Sequence, residues 1–449
     1  MTDYQIPPTR YAHSGDLSIA YQTLGRYPLD LIVVPHVISH IEQLHEFPEY
    51  RQFLKHLEGF ARVITFDKSG QGLSDRPSGI PALEQRMDDL TAVISATGCS
   101  RAILVGCSEG ASLSMLFAAT YPEKVSHLIL FGGYARMMAT ADYEFGFPEE
   151  QRSVWEKLID ETYGTGDPGI RYFWASSMQR PEAIQQFAKL ERLSASPGAY
   201  KAMLQQNALI DVRPILPSIR VPTLVLHRTN DALIRIENGR YLAERIPGAK
   251  LIEYNDCTDH FIFGGDVRQI ASDIREFVVG SSNEEEQDVD RILATVLMTD
   301  IVDSTRRLGE LGDRSWTSLL DEHDRTSRRL ARQHRGRFVG STGDGMVAIF
   351  DGPSRAVRCA MDLSAALQCN GLQLRAGLHT GEIELRGDNV AGLAVHAAAR
   401  VMAKAEPGEI LVSRVLVDLV AGAGLNFRER GDFELKGLNG SWRLFAAQQ

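Results

Sequence analysis

Five residues, Gly106-Cys107-Ser108-Glu109-Gly110, constrain the first half of the chain more than any other stretch. They follow an apolar strand, Arg101-Ala102-Ile103-Leu104-Val105, and precede a helix that begins near Glu109. A G-x-S-x-G at a strand-to-helix junction forces the serine into a tight turn, and the flanking glycines remove side chains that would collide there. The runs Leu29 to Pro35, Ala61 to Phe66 and Val125 to Phe131 are continuous and apolar, as strands buried on both faces of a parallel sheet are. Helical stretches near 84–97 and 109–120 alternate with them, so the rhythm is strand, helix, strand, helix. Residues 8–24 read instead as a hairpin turning at Ser14-Gly15-Asp16.

Residues 1–279 therefore resemble the α/β-hydrolase superfamily, with Asp67-Lys68-Ser69-Gly70-Gln71-Gly72-Leu73-Ser74-Asp75 as a second familiar turn. The resemblance implies the chain order nucleophile, acid, histidine. On that order Ser108 would be the nucleophile, Asp231 in the loop after the strand 223–227 the acid, and His260 in the loop 256–261 the base. Asn230 beside Asp231 and Asp259 beside His260 leave the identity of the acid open. The oxyanion hole would be the backbone N–H groups of Glu109 and, by position, Val37. Here Pro35-His36-Val37 departs from the family's usual His-Gly. Residues 134–220 break the strand rhythm, are helical and carry Trp155, Tyr172, Phe173 and Trp174; they resemble a cap that sets substrate size and excludes water. A structural turn in an inactive domain is the alternative role for Ser108. His36, His40 and His45 cluster in one loop and read as partners of backbone or water rather than of metal.

At 449 residues the chain exceeds the roughly 250–300 residues at which one core stops growing, so two domains are expected. The acidic stretch Gly280 to Asp290 is poor in apolar residues and reads as the linker, 280–291, with a second domain over 292–449. That domain opens on Leu297-Met298-Thr299-Asp300-Ile301-Val302-Asp303-Ser304-Thr305, an apolar strand that ends in acids and a Ser/Thr pair suited to capping a helix. An acid at the mouth of a buried strand costs desolvation energy unless a cation or a donor meets it. A second acid, Asp344, stands between Gly343 and Gly345 at the tip of a hairpin whose return strand is Met346 to Phe350. If the hairpin pairs beside the first strand, both carboxylates can grip a pair of hard cations, roughly 3.5–4 Å apart, as suits in-line displacement at phosphorus.

Four ordered pieces, Thr299-Asp300-Ile301-Val302-Asp303-Ser304-Thr305, Thr342-Gly343-Asp344-Gly345, Leu374-Arg375-Ala376-Gly377-Leu378-His379-Thr380-Gly381 and Val395-His396-Ala397-Ala398-Ala399-Arg400, make residues 292–447 resemble a class III nucleotide cyclase catalytic domain. The resemblance implies an α+β, ferredoxin-like fold: a helix over 304–333, a helix near 354–369, strands at 372–379 and 381–386, and a helix at 391–404. It implies that the 3′-hydroxyl of ATP, or of GTP, attacks its own α-phosphorus, giving most readily 3′,5′-cyclic AMP and pyrophosphate. Asp300, Asp344 and the Ile301 carbonyl would hold two Mg²⁺ or Mn²⁺ ions, and Arg400 would stabilise the charge at the α-phosphate. Where the family has a purine-reading lysine and acid, this chain has Gly340 and Asn389; where it has a transition-state asparagine, this chain has His396. Because the family's sites form between two catalytic domains, a homodimer is implied.

Lys plus Arg number 48 and Asp plus Glu 58, a net charge of −10, which disfavours nucleic acid and anionic membrane as partners. The basic run 325–337 reads as a solvated helix face. Five cysteines without paired spacing argue for a reducing compartment, and no apolar run nears the ~20 residues a bilayer needs. A cytoplasmic protein is expected. The hydrolase-like half would be an esterase for an unidentified ester or acyl ligand, or a sensor whose cap movement repositions the cyclase. A module that holds nucleotide without turning it over is the competing class.

Overall fold

The computed structural model describes residues 4–167, 169–281, 290–369 and 371–448. Most of the expected linker, 282–289, lies outside them. The chain divides into two compact units, Met1–Gln287 and Asp288–Gln449.

The first unit is built on an eight-stranded sheet: β1 Arg10–Ser14, β2 Leu17–Leu24, β3 Asp30–Val34, β4 Arg62–Phe66, β5 Ala102–Cys107, β6 Val125–Phe131, β7 Thr223–Arg228 and β8 Lys250–Tyr254, in the order β1-β2-β4-β3-β5-β6-β7-β8. From β4 to β8 neighbours run parallel, while β1 and β2 form the antiparallel hairpin edge. The apolar runs give strands buried on both faces because helices cover both. Phe53 and Leu57 of α1 (Pro48–Glu58) and Ile270 and Ile274 of α9 (Val267–Ser281) share one core with Leu31, Val63, Ile103, Ile129 and Leu224. Between these helices come α2 (Leu83–Thr97), α3 (Glu109–Thr120), α4 (Glu149–Thr162), α5 (Gly169–Phe173), α6 (Pro181–Ser194), α7 (Pro197–Asn207) and α8 (Ile236–Arg245). All 12 residues of α3 are buried. Gly110 is required there, since a Cβ would lie 2.6 Å from the Val34 carbonyl oxygen and 2.7 Å from that of Pro35. Helices α4 to α7 occupy the inserted stretch between β6 and β7.

The second unit has the strands β9 Arg291–Ile301, β10 Arg337–Ser341, β11 Met346–Phe350, β12 Leu374–Arg386, β13 Asn389–Ala391, β14 Ile410–Ser413, β15 Asn426–Glu434 and β16 Ser441–Gln448. Their order is β10-β11-β9-β12-β14-β16-β15, with β13 paired to β12. Its helices are α10 Ser304–Leu311, α11 Asp313–Gln333, α12 Pro353–Cys369, α13 Leu393–Met402 and α14 Arg414–Leu419. Alternation along β9 sends Leu297 and Ile301 to a core with Trp316, Leu330, Ala356 and Leu363, and sends Ala294 and Val296 to the face covered by Ala394 and Ala398 of α13. Met298 and then Asp300 occupy the following even positions, so Asp300 falls on the α13 side.

Three local expectations are corrected. The helix expected over 304–333 is two, because Gly312 takes φ 73° and turns the chain between α10 and α11. The capping residue before α10 is Asp303, in the left-handed conformation at φ 58°, and Ser304 already lies inside the helix. The separate strands at 372–379 and 381–386 are the single strand β12, which pairs with β9 from Leu374↔Ile301 to Glu384↔Arg291 and passes through Gly381 without turning. All five cysteines are free thiols. Among the described residues no helix is long and apolar enough to cross a membrane.

Gly377 on β12 lets α13 lie close to the sheet, for a Cβ there would sit 2.5 Å from the Ala398 carbonyl oxygen and closer still to the Met402 amide. Both obstacles are backbone and cannot turn aside. Gly377→Ala should destabilise the second domain by about 1–3 kcal/mol, seen in calorimetry of the full-length protein as a Tm lowered by several degrees in one transition only.

Candidate active sites

Strands β5, β7 and β8 end on one edge of the parallel sheet, and the loops that leave them carry Ser108, Asp231 and His260. Ser108 takes φ 54° at the junction of β5 and α3, a conformation a non-glycine residue holds only when its surroundings impose it. His260 Nδ1 is 2.8 Å from Asp231 Oδ2, both side chains fully buried. Asp231 Oδ1 accepts the amides of Leu233 and Ile234 at 2.8 and 2.9 Å, which fixes the carboxylate. Burial pushes the Asp231 carboxyl up, but His260, His227 and the Ile234 amide together hold the group below the usual range. Of Asp231, Asp259 and Asn230, Asp231 is the one whose side chain meets His260. Asp259 accepts the Ser176 amide and hydroxyl at 2.7 and 2.6 Å, and Asn230 bonds Asn255 at 2.8 Å. His260 Nε2 is buried with no partner among the described residues, and Ser108 lines the cavity above the sheet edge.

Glu109 opens α3, so its N–H lacks an intrahelical acceptor. Its carboxylate is buried between Lys68 and Arg86 and pairs with both. Burial pushes that carboxyl up, and the two cations more than reverse it. Lys68 Nζ also donates to the carbonyls of Pro35 and His36 at 3.3 and 3.1 Å, and Gln71 Nε2 donates to the Val37 carbonyl. The loop that lacks His-Gly is thus held by side chains from the 67–75 turn. Asp67 adds to this, accepting the Ser39 hydroxyl at 2.6 Å and the Leu73 amide at 3.0 Å. Of the loop histidines, His45 bonds Tyr4 and Gln22, and His40 Nδ1 accepts the Gln43 amide. His36, driven well below its ordinary pKa by burial, packs edge-on to His260 and Phe261.

The cavity runs from Ser108 and Val37 to Trp155, Tyr172 and Phe173 of the inserted helices. Its walls are mostly apolar. Glu191, whose carboxyl burial pushes up to about 7, accepts the amides of Gly164 and Gly166 and lines the far side.

In the second unit Asp300, Ile301 and Asp344 come together. The β10–β11 hairpin pairs with β9, and Ile301 donates its amide to the Asp344 carbonyl at 3.1 Å. Gly345 permits this approach, since a side chain there would strike the Thr299 carbonyl. Burial raises the Asp300 carboxyl, Arg375 opposes this, and the adjacent Asp344 carboxylate raises it again. Arg375 sits opposite Asp300 in the β9–β12 ladder and donates from Nε to Asp300 Oδ2 at 2.8 Å. Sequence reasoning gave Arg375 no role, although it lies in a quoted motif.

Arg400 and His396 lie one turn apart on α13, both exposed. Arg400 Nε donates to the Lys436 carbonyl at 3.1 Å, and its groove is lined by Lys404, Glu434 and Lys436 but by none of Asp300, Ile301 and Asp344. Gly340 lies on β10 with open space where a side chain would be, and Asn389 is exposed at the start of β13.

A model of the alpha/beta hydrolase fold matches residues 31–266, and the chain belongs to that family. A model of the adenylate and guanylate cyclase catalytic domain matches residues 285–446, so a cyclase catalytic domain is fused to a hydrolase domain in one polypeptide. Among curated relatives, a probable esterase of Oryza sativa subsp. japonica is 23% identical over 47% of this chain and 79% of its own length. A putative adenylate cyclase 3 of Rhizobium meliloti is 28% identical over 34% of this chain and 27% of its own length. The structure of a bromoperoxidase from Bacillus anthracis, 18% identical, covers 61% of this chain and 100% of its own with a TM-score of 0.54, a likeness of fold.

Asp89 on α2 supports the Lys68 turn by accepting the Ser69 amide and hydroxyl at 2.9 and 2.6 Å, and burial pushes its carboxyl from 3.8 to about 6. A carboxyl whose folded value is raised contributes stability that is complete below pH 3.8 and lost as pH rises through about 6. Asp89→Asn keeps a neutral acceptor for Ser69 and removes that loss. Urea unfolding should show the variant gaining on wild type by on the order of 2–3 kcal/mol between about pH 4 and pH 6, with a constant difference above.

Proposed function

We propose that the second domain cyclises a nucleoside triphosphate, forming 3′,5′-cyclic AMP and pyrophosphate from ATP, and that the first domain hydrolyses an ester or other acyl compound. The observation that carries the cyclase reading is the convergence of Asp300, near the end of β9, and Asp344, in the turn between β10 and β11, on one side of the sheet end where burial and mutual repulsion raise the Asp300 carboxyl although Arg375 contacts it. Two carboxylates and the Ile301 carbonyl leave the remaining positions around a hard cation to phosphate oxygens and water, as magnesium sites commonly do, so this donor set suits Mg²⁺ or Mn²⁺. Bound there, such ions supply charge to the triphosphate and lower the pKa of the attacking hydroxyl.

The chain's own residues do the positioning. Arg375, beside Asp300, would offer a planar guanidinium to phosphate oxygens if a cation took its place at that carboxylate. Arg400 and Lys436 share a second cationic surface. Its separation from the acids supports a homodimer in which Arg400 of one chain serves the acids of the other. His396, on the same face of α13 as Arg400, is suited to a hydrogen bond with the ribose, and Asn389 is the side chain left to meet the purine edge. Asp300→Ala should lower turnover of ATP and GTP in Mn²⁺ by at least on the order of 100-fold, and wild-type activity per chain should fall on dilution. Equal rates in wild type and variant would remove the metal assignment and favour a module that only holds nucleotide.

For the first domain, Ser108 attacks the carbonyl while His260 takes its proton through Nε2, and Asp231 keeps the imidazole in the tautomer that allows this. The N–H groups of Glu109 and Val37 receive the developing oxyanion. A roofed apolar cavity also suits a ligand that is retained, which makes sensing by the same pocket the second reading. Mass spectrometry after treatment with a fluorophosphonate should find an adduct on Ser108, formed on the order of 10⁴-fold more slowly in Asp231→Asn; folded protein that gains no adduct would leave only the sensor.

A further inference from the structure

Asn207 closes α7 and is 1% exposed, yet it lines the cavity above Ser108. Its Oδ1 accepts from Arg86 Nη1 at 2.9 Å. A guanidinium has donors and no acceptor, so the amide cannot be turned the other way. Nδ2 is left as a buried donor with no partner among the described residues, the same condition as His260 Nε2. Arg86 is fixed in turn: Nε donates to the Pro81 carbonyl at 3.0 Å, and Nη1 also meets the Glu109 carboxylate. The donor is therefore held rigidly by a chain of side chains that begins one residue after the nucleophile. The same cavity is lined by Tyr134, Leu204 and Leu233, with Glu109 and Glu191 as its carboxylates. A buried donor left unmet costs free energy that a ligand acceptor recovers.

We propose that Asn207 is a specificity-determining residue, and that its Nδ2 receives a second carbonyl oxygen on the acyl portion of the substrate, so that oxo-acyl esters are selected over plain alkyl esters. The proposal rests on Ser108 being the nucleophile. A site built to donate a hydrogen bond discriminates against the analogue that lacks the acceptor, because the donor then stays unpaired.

The test uses full-length protein and compares kcat/KM for p-nitrophenyl hexanoate with that for its 4-oxo and 5-oxo counterparts. Wild type should prefer at least one oxo ester by roughly tenfold. Asn207→Asp keeps the size of the residue and the acceptor for Arg86 while exchanging the donor for an acceptor, and should abolish the preference. Asn207→Leu, which removes the donor outright, gives the same answer should the aspartate variant not fold. The readout is the ratio between esters within each protein, which a general loss of activity does not move. No preference in wild type, as when water meets Nδ2, overturns the proposal, and so does a preference that survives in the folded variants. Fluorophosphonate labelling separates the levels: without an adduct on wild-type Ser108 the nucleophile reading fails and takes this one with it, whereas labelled enzyme with equal ratios removes the Asn207 proposal alone.

Discussion

The carboxylate of Glu109 is the interaction on which the first domain's site depends. A charge taken out of water costs several kcal/mol unless it is well paired, and removing one member of a buried pair costs about 3–5 kcal/mol because the other is stranded. Glu109 meets that demand with Lys68 from the turn after β4 and Arg86 from α2. Each cation also donates elsewhere, Lys68 to the carbonyls of Pro35 and His36 and Arg86 to the Pro81 carbonyl and Asn207 Oδ1. One carboxylate thus joins the nucleophile's helix, the loop after β3 and the inserted helices through Lys68 and Arg86, and none of the three can shift without breaking a buried ion pair or hydrogen bond.

The second domain follows the opposite logic. Asp300 and Asp344 are brought together by strand pairing, and the Asp300 carboxyl stays above its usual range although Arg375 contacts it. A scaffold under no other demand would place an apolar residue or a second cation at one of these positions. The hydrolase domain closes its charges among its own side chains; the cyclase domain leaves a deficit of positive charge at the mouth of β9.

Much of this was legible in the sequence, wherever period and punctuation agree. Uninterrupted apolar runs marked the parallel strands, and the glycines around Ser108 and Asp344 marked both turns. The rest depended on pairing over distances that no local pattern encodes. Lys68 and Arg86 are 41 and 23 residues from Glu109, so nothing in the 67–75 turn announced a buried cation. Asp231, Asp259 and Asn230 occupy adjoining loops with equal claims, and only the approach of His260 to Asp231 separates them. Arg375 had no visible role until the ladder placed it across from Asp300. Gly312 and Gly381 carry the same residue type with opposite outcomes: the first turns the chain at a positive φ, whereas the second lies inside a strand held extended by its long pairing with β9.

The same contrast governs the departures from family pattern. Pro35-His36-Val37 lacks the usual His-Gly, but Lys68, Gln71 and Asp67 hold that loop by its carbonyls and by flanking groups, so its position is fixed by the side chains around it. Nothing comparable surrounds Gly340, where the space a longer side chain would fill is open, and Asn389 is exposed on a short edge strand. A hydrogen-bonding side chain specifies a base only when its position is fixed, since an exposed amide can present donor or acceptor by turning over. Under the proposed cyclisation, recognition would therefore fall chiefly on the triphosphate, through the acids, Arg375, Arg400 and Lys436, and discrimination between adenine and guanine would be weaker than a fixed lysine and acid give.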